Sequence, residues 1–149
     1  MKMRVPEASC GGAGAAAAAA AAIDRAYLAR FTMGNEALAQ EVLELFAAQA
    51  PVVLDRLRRA QSDADWRLAA HTLKGSAAAV GARQLQRWAE LAERVDARLP
   101  AVEQAAQRAL ALSLIAEATA AACHQIGQMY AAGAGQGRRG VLEFAGRGR

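Results

Sequence analysis

NEALAQEVLELFAAQAPVVLDRLRRA, residues 35–60, carries the spacing that decides the fold. Leu38, Val42, Leu45, Phe46, Val53 and Leu57 recur at helical intervals with Gln49 as the one polar interruption, which places an apolar stripe along one α-helix. Asn35 is suited to cap that helix, because its side-chain oxygen can accept from amides of the first turn. Pro51 is expected to kink it. A second stripe, Leu43, Ala47, Ala50 and Leu54, adjoins the first and either widens the core contact or meets a partner.

The same pattern continues on both sides. Upstream, the alanine run at 15–22 is expected to feed a short helix through IDRAYLARF, residues 23–31. Downstream, Asp63 offers a cap for a helix ending near Gly81. A further helix then carries Leu85, Trp88, Ala92, Val95 and Leu99 until Pro100 stops it. The last runs over about residues 101–131, with Val102, Ala105, Ala109, Leu112, Ala116, Cys123, Ile126 and Tyr130 on one stripe and Thr119 in line. Long amphipathic helices joined by short connections pack as antiparallel neighbours. The expected fold is therefore all-α, an antiparallel up-and-down four-helix bundle with a short additional N-terminal helix. It spans residues 23–131, between a low-complexity Gly/Ala-rich leader at 1–22 and a basic tail at 132–149.

Composition agrees with one helical domain. The chain has 149 residues, 54% hydrophobic with much alanine and only 5% aromatic. The net charge of +4 suggests a nucleic-acid partner until the charges are located. Lys2, Arg4, Arg138, Arg139, Arg147 and Arg149, against Glu7 and Glu143, sit at the ends and leave equal numbers of basic and acidic side chains between. A neutral body without interleaved aromatics argues against nucleic acid. Cys10 and Cys123 make no disulfide framework, so a reducing cytoplasm is the expectation. The first 22 residues resemble a signal peptide in outline, but Pro6 and Glu7 interrupt them and polyalanine is a poor apolar segment. No run of about 20 strongly apolar residues is evident, so no membrane span is expected.

Within AHTLKGSAAAVGA, residues 70–82, helical geometry sorts positions by face at about 100° per residue. Trp66, Ala69, Leu73, Ser76, Ala77 and Val80 fall on the core side. His71 falls opposite, sharing its side with Ala64, Arg67, Leu68, Lys74, Gly75 and Ala78. Gly75, one turn after His71, costs the helix about 0.8–1 kcal/mol relative to alanine, which makes sense where another molecule must come close to the imidazole. Arg67 and Lys74 flank the ring with positive charge suited to an anionic group. Lys74 is the one lysine after Lys2, in a chain that otherwise uses arginine. Imidazole is mostly neutral at pH 7 and keeps one nucleophilic lone pair. Taken alone, a histidine on a polar helix face is as readily a solvated side chain, and spacing does not decide between the two.

The run His71-Thr72-Leu73-Lys74-Gly75-Ser76, followed by small residues to Gly81-Ala82 and then Leu85, resembles the signature of histidine phosphotransfer domains of bacterial two-component phosphorelays. The resemblance covers roughly residues 23–98, with FTMGNEALAQEVLELFAAQAP and LQRWAELAE similar to the flanking helices. It implies that His71 accepts a phosphoryl group from a receiver-domain aspartate and relays it to another receiver. It further implies that Lys74 steadies the phosphoryl oxygens, Gly75 clears the approach, and Glu93 bonds the other ring nitrogen and fixes its tautomer. Glu93 is equally readable as a solvated partner of Arg94 or Arg98.

The implied partners are response-regulator receiver domains and a hybrid or other histidine kinase. They would dock on Ala64, Arg67, Leu68, Gly75 and Ala78, extended by the Leu43–Leu54 stripe. No cofactor of its own is expected, Mg²⁺ belonging to the receiver. Neither a kinase domain nor a receiver fits beside the bundle in 149 residues, so a free-standing, monomeric, cytoplasmic carrier is expected rather than an enzyme. The rival is a helical interaction module that docks receivers or kinases without carrying phosphate. Metal binding through Cys123-His124 is disfavoured, since adjacent helical residues diverge by about 100°.

Overall fold

The computed structural model describes residues 21–131; the leader up to residue 20 and the tail from 132 lie outside them. Five helices follow one another among the described residues: α1 (Arg25–Phe31), α2 (Glu36–Arg58), α3 (Asp63–Val80), α4 (Arg83–Glu93) and α5 (Ala101–Ala131). Helices α2 to α5 pack in a closed ring, each against its neighbour in sequence and α5 back against α2. Tyr130 lies near Glu36 and Glu44, whereas Cys123 reaches the carbonyl of Ala47, so α5 runs antiparallel to α2. The protein is an antiparallel up-and-down four-helix bundle with the short α1 across one end.

Local signals set most of the ends. Asn35 Oδ1 accepts from Leu38 N at 3.1 Å and starts α2, which continues through Pro51 as one helix. Ser62, rather than Asp63, caps α3, its Oγ accepting from Asp65 N at 3.1 Å, which releases the Asp63 carboxylate to Gln104 and Arg108 of α5. Gly81 ends α3 in the left-handed conformation, φ 73°, and a Cβ there would meet the Tyr27 ring at 3.0 Å. The alanine run does not feed α1: residues 21–24 are not helical, because Asp24 caps the helix through Tyr27 N at 3.0 Å. Asp24 also pairs with Arg83 at 3.1 Å, and its amide donates to Gly81 O, so α1 is tied to the α3–α4 corner.

The core corrects two faces. On α2 the buried side chains are Leu43, Phe46, Ala50, Val53, Leu54 and Leu57, while Leu38 and Leu45 are exposed. The second stripe is therefore core, with Leu43 wholly buried, and Leu43 to Leu54 offers no partner surface. On α5 the buried positions are Ala111, Ile115, Ala118, Thr119, Ala122 and Ile126. Val102 is 81% exposed, and Ala105 and Ala109 face solvent as well. With alanine on every side of α5, periodicity allows several stripes, and contact with α2 and α4 selects the one holding both isoleucines.

Helix α4 also stops short of Pro100. It ends at Glu93, after which Val95 turns into the core. Asp96 then builds a local turn, accepting from Arg98 N at 2.9 Å through its side chain and from Leu99 N at 3.2 Å through its carbonyl. By length and composition alone, α2 and α5 are apolar enough to cross a membrane, each reaching a mean hydropathy of 1.3 over 18 residues. Leucine, valine and isoleucine supply most of that hydropathy, interrupted by polar and charged side chains, and each helix turns its buried stripe inward against the bundle.

Candidate functional site

His71 stands at the middle of α3 with 65% of its side chain exposed. Three residues later, on the flank of α3 that faces α4, Lys74 is half-buried. Glu93, the last residue of α4, meets both. Its Oε1 lies 2.8 Å from His71 Nδ1 and its Oε2 lies 2.5 Å from Lys74 Nζ. The Lys74 ammonium, seconded by His71, holds the Glu93 carboxyl below its usual range against the opposing effect of partial burial.

An ionised carboxylate only accepts hydrogen bonds, so the proton in the His71–Glu93 contact belongs to Nδ1. The lone pair is then on Nε2, at the other edge of an exposed ring. Chemically this is an oriented nucleophile with a fixed anion behind it and an ammonium beside it. Arg94, one of the two alternative partners of Glu93, pairs instead with Glu90 at 2.7 Å. Arg98, the other, lies in the turn built by Asp96.

The surroundings of His71 are open. Ala64, Arg67, Leu68 and Gly75 are exposed and Ala78 is half-buried. A Cβ added at Gly75 would meet nothing within 4 Å, so no packing inside the chain requires a glycine there. Arg67 makes no ion pair among the described residues, leaving its guanidinium to solvent. On α2, Leu45 and Val52 are exposed. The stripe pattern missed these as surface, although their separation by two turns marked them as sharing a face.

Residues 41–132 match the Hpt domain family. The chain belongs to the Hpt domain family. The match begins within α2 and takes in α5, farther along the chain than the similarity of the motif and its flanks alone reached. Hpt domains are phosphocarriers of phosphorelays, interact with receiver domains and histidine kinases, and have no kinase activity of their own. No curated protein and no solved structure matches this Hpt chain.

Elsewhere, Cys123 is half-buried, which raises its thiol above the ordinary range, and His124 beside it is exposed. No group of three or more potential metal-ligating side chains occurs among the described residues.

Proposed function

We propose that this Hpt protein accepts a phosphoryl group on His71 Nε2 from the aspartyl phosphate of one receiver domain and passes it to the aspartate of another. The observation that carries the reading is the contact between His71 Nδ1 and Glu93, which leaves the free lone pair on Nε2. Nε2 attacks phosphorus, the N–P bond forms, and the P–O bond breaks with its electron pair leaving on the aspartate oxygen. The ring keeps its Nδ1 proton and becomes positively charged, and the Glu93 carboxylate already lies against it. Transfer to the second receiver runs the same step in reverse.

Lys74 has a second part in this reading. Paired with Glu93 at rest, its flexible ammonium can share itself with the phosphoryl oxygens when they arrive. Mg²⁺ in the receiver supplies the remaining charge stabilisation. The receiver sits on Ala64, Arg67, Leu68, Gly75 and Ala78, with Leu45 and Val52 of α2 replacing the buried Leu43–Leu54 stripe as its apolar extension. The carrier acts as a cytoplasmic monomer, charged through receivers and a hybrid or other histidine kinase, with no role at nucleic acid or membrane.

The test is incubation with a radiophosphorylated receiver domain, comparing the native chain with His71→Gln. Acid-labile, base-stable label on the native chain and none on the variant is the expected result. A native chain that stays unlabelled with several receivers, its helical fold intact, overturns the reading in favour of docking without transfer.

A further inference from the structure

Helix α4 ends on the residue that positions the imidazole, yet its own sequence does little to hold that end. It has only 11 residues, no side-chain cap at its start, no basic residue in its last turn, and Arg94 rather than glycine after it, at φ −89°. A helix this short is marginal by itself, and its last turn frays first unless tertiary contacts hold it.

One such contact comes from α3. Trp66, 3% exposed and five residues before His71, donates its indole N–H to the carbonyl of Ala92 at 2.7 Å. Backbone amides also reach that carbonyl, from Arg94 N and from Val95 N, the latter at 3.3 Å. The indole is itself held. Arg108 of α5 lies over its ring at 4.9 Å and contacts Asp63, the first residue of α3. Arg108 Nε is buried with no hydrogen-bond partner, so this guanidinium depends on the indole face and the Asp63 carboxylate.

We infer that Trp66 is a positioning residue for the phosphotransfer site: by capping the Ala92 carbonyl it fixes the end of α4, and so holds Glu93 where it keeps the proton of His71 on Nδ1. The inference rests on the proposed phosphoryl-carrier reading, but its primary readout needs no phosphate. Trp66→Phe keeps an aromatic ring and removes only the donor and part of the bulk. Trp88→Phe on α4, a half-buried tryptophan with no side-chain hydrogen bond among the described residues, controls for the loss of bulk.

The experiment is ¹⁵N imidazole spectroscopy of His71 in the full chain at alkaline pH, with circular dichroism to confirm the fold. In the native chain and in Trp88→Phe the Nδ1–H tautomer is expected to dominate. In Trp66→Phe its signal is expected to give way to a mixture with Nε2–H, with transfer from a phosphorylated receiver slowed roughly fivefold, the worth of one ordinary hydrogen bond. A folded Trp66→Phe chain whose His71 tautomer matches the native one overturns the inference. Should Trp66→Phe fail to fold, Arg108→Leu, which frees the indole without removing it, is read in the same way: a shifted tautomer supports the role and an unchanged one overturns it. Failure of the carrier reading itself is separate, since it appears as an unlabelled native chain whatever the tautomer.

Discussion

Gly75→Ala separates a glycine kept for the fold from one kept for a visitor. Gly75 is helical, exposed, and surrounded by open space where a Cβ would stand, so the bundle loses nothing if a methyl is added. Helix propensity then favours alanine by about 0.8–1 kcal/mol. For a domain of this size that gain raises the melting temperature by about 4 °C. Gly127 on α5 is likewise exposed and open, and Gly127→Ala is expected to gain in the same direction, less because it lies closer to a helix end. The two substitutions part company in transfer. At position 75 the methyl stands one turn from His71, where the receiver must close, and forcing a methylene-sized group into a well-packed contact costs about 1–3 kcal/mol. That slows transfer from a phosphorylated receiver roughly 5- to 150-fold, while Gly127→Ala transfers at the native rate. Thermal melts followed by circular dichroism and a time course of label transfer read both quantities. A Gly75→Ala chain that melts below the native one, or that transfers at the native rate, refutes the argument that this glycine serves docking.

Glu93→Gln keeps an oxygen that can accept from His71 Nδ1–H but removes the charge shared with Lys74, whereas Glu93→Ala removes both. Transfer rates are therefore expected to fall in the order native, Gln, Ala, with the Gln variant down about tenfold, and equal rates for the two variants would deny the acceptor role. Asp24 and Glu93 both have carboxyls held below their usual range, Asp24 chiefly by the Tyr27 amide with Arg83 behind it and Glu93 chiefly by Lys74. Their stabilising effect is fully present above the unfolded value of about 4 and is lost as pH falls below it. Melting temperature is thus expected to drop on acidification below about pH 4, and to drop less steeply in Asp24→Asn and Glu93→Gln. Leu43→Ala is expected to cost about 2–5 kcal/mol in urea unfolding and exposed Leu45→Ala within about 0.5 kcal/mol, and a reversed order would contradict the assignment of the α2 core face.

The apolar patterns over residues 35–131 determined the helical class and the succession of helices, and residues 70–82 the presentation of His71 on a solvent face. The reason is local: Asn35 and Gly81 mark helix ends through their own side-chain and backbone chemistry, and the apolar period is a property of the chain. The motif around His71 resembled that of histidine phosphotransfer domains, and the Hpt family match over residues 41–132 agrees with it.

Tertiary structure decided what periodicity leaves degenerate. Alanine-rich α5 and doubly striped α2 each offer more than one apolar face, and only neighbouring helices choose between them, burying Leu43 and Ile115 and leaving Leu45 and Val102 to water. It also decided the end of α4 at Glu93, after which Val95 turns into the core and Asp96 builds a turn, although Pro100 was the visible stop signal. His71, Lys74 and Glu93 meet across two helices, 22 and 19 residues apart in sequence. Nothing in a single helix's spacing measures such a distance; it follows from how α3 and α4 pack together.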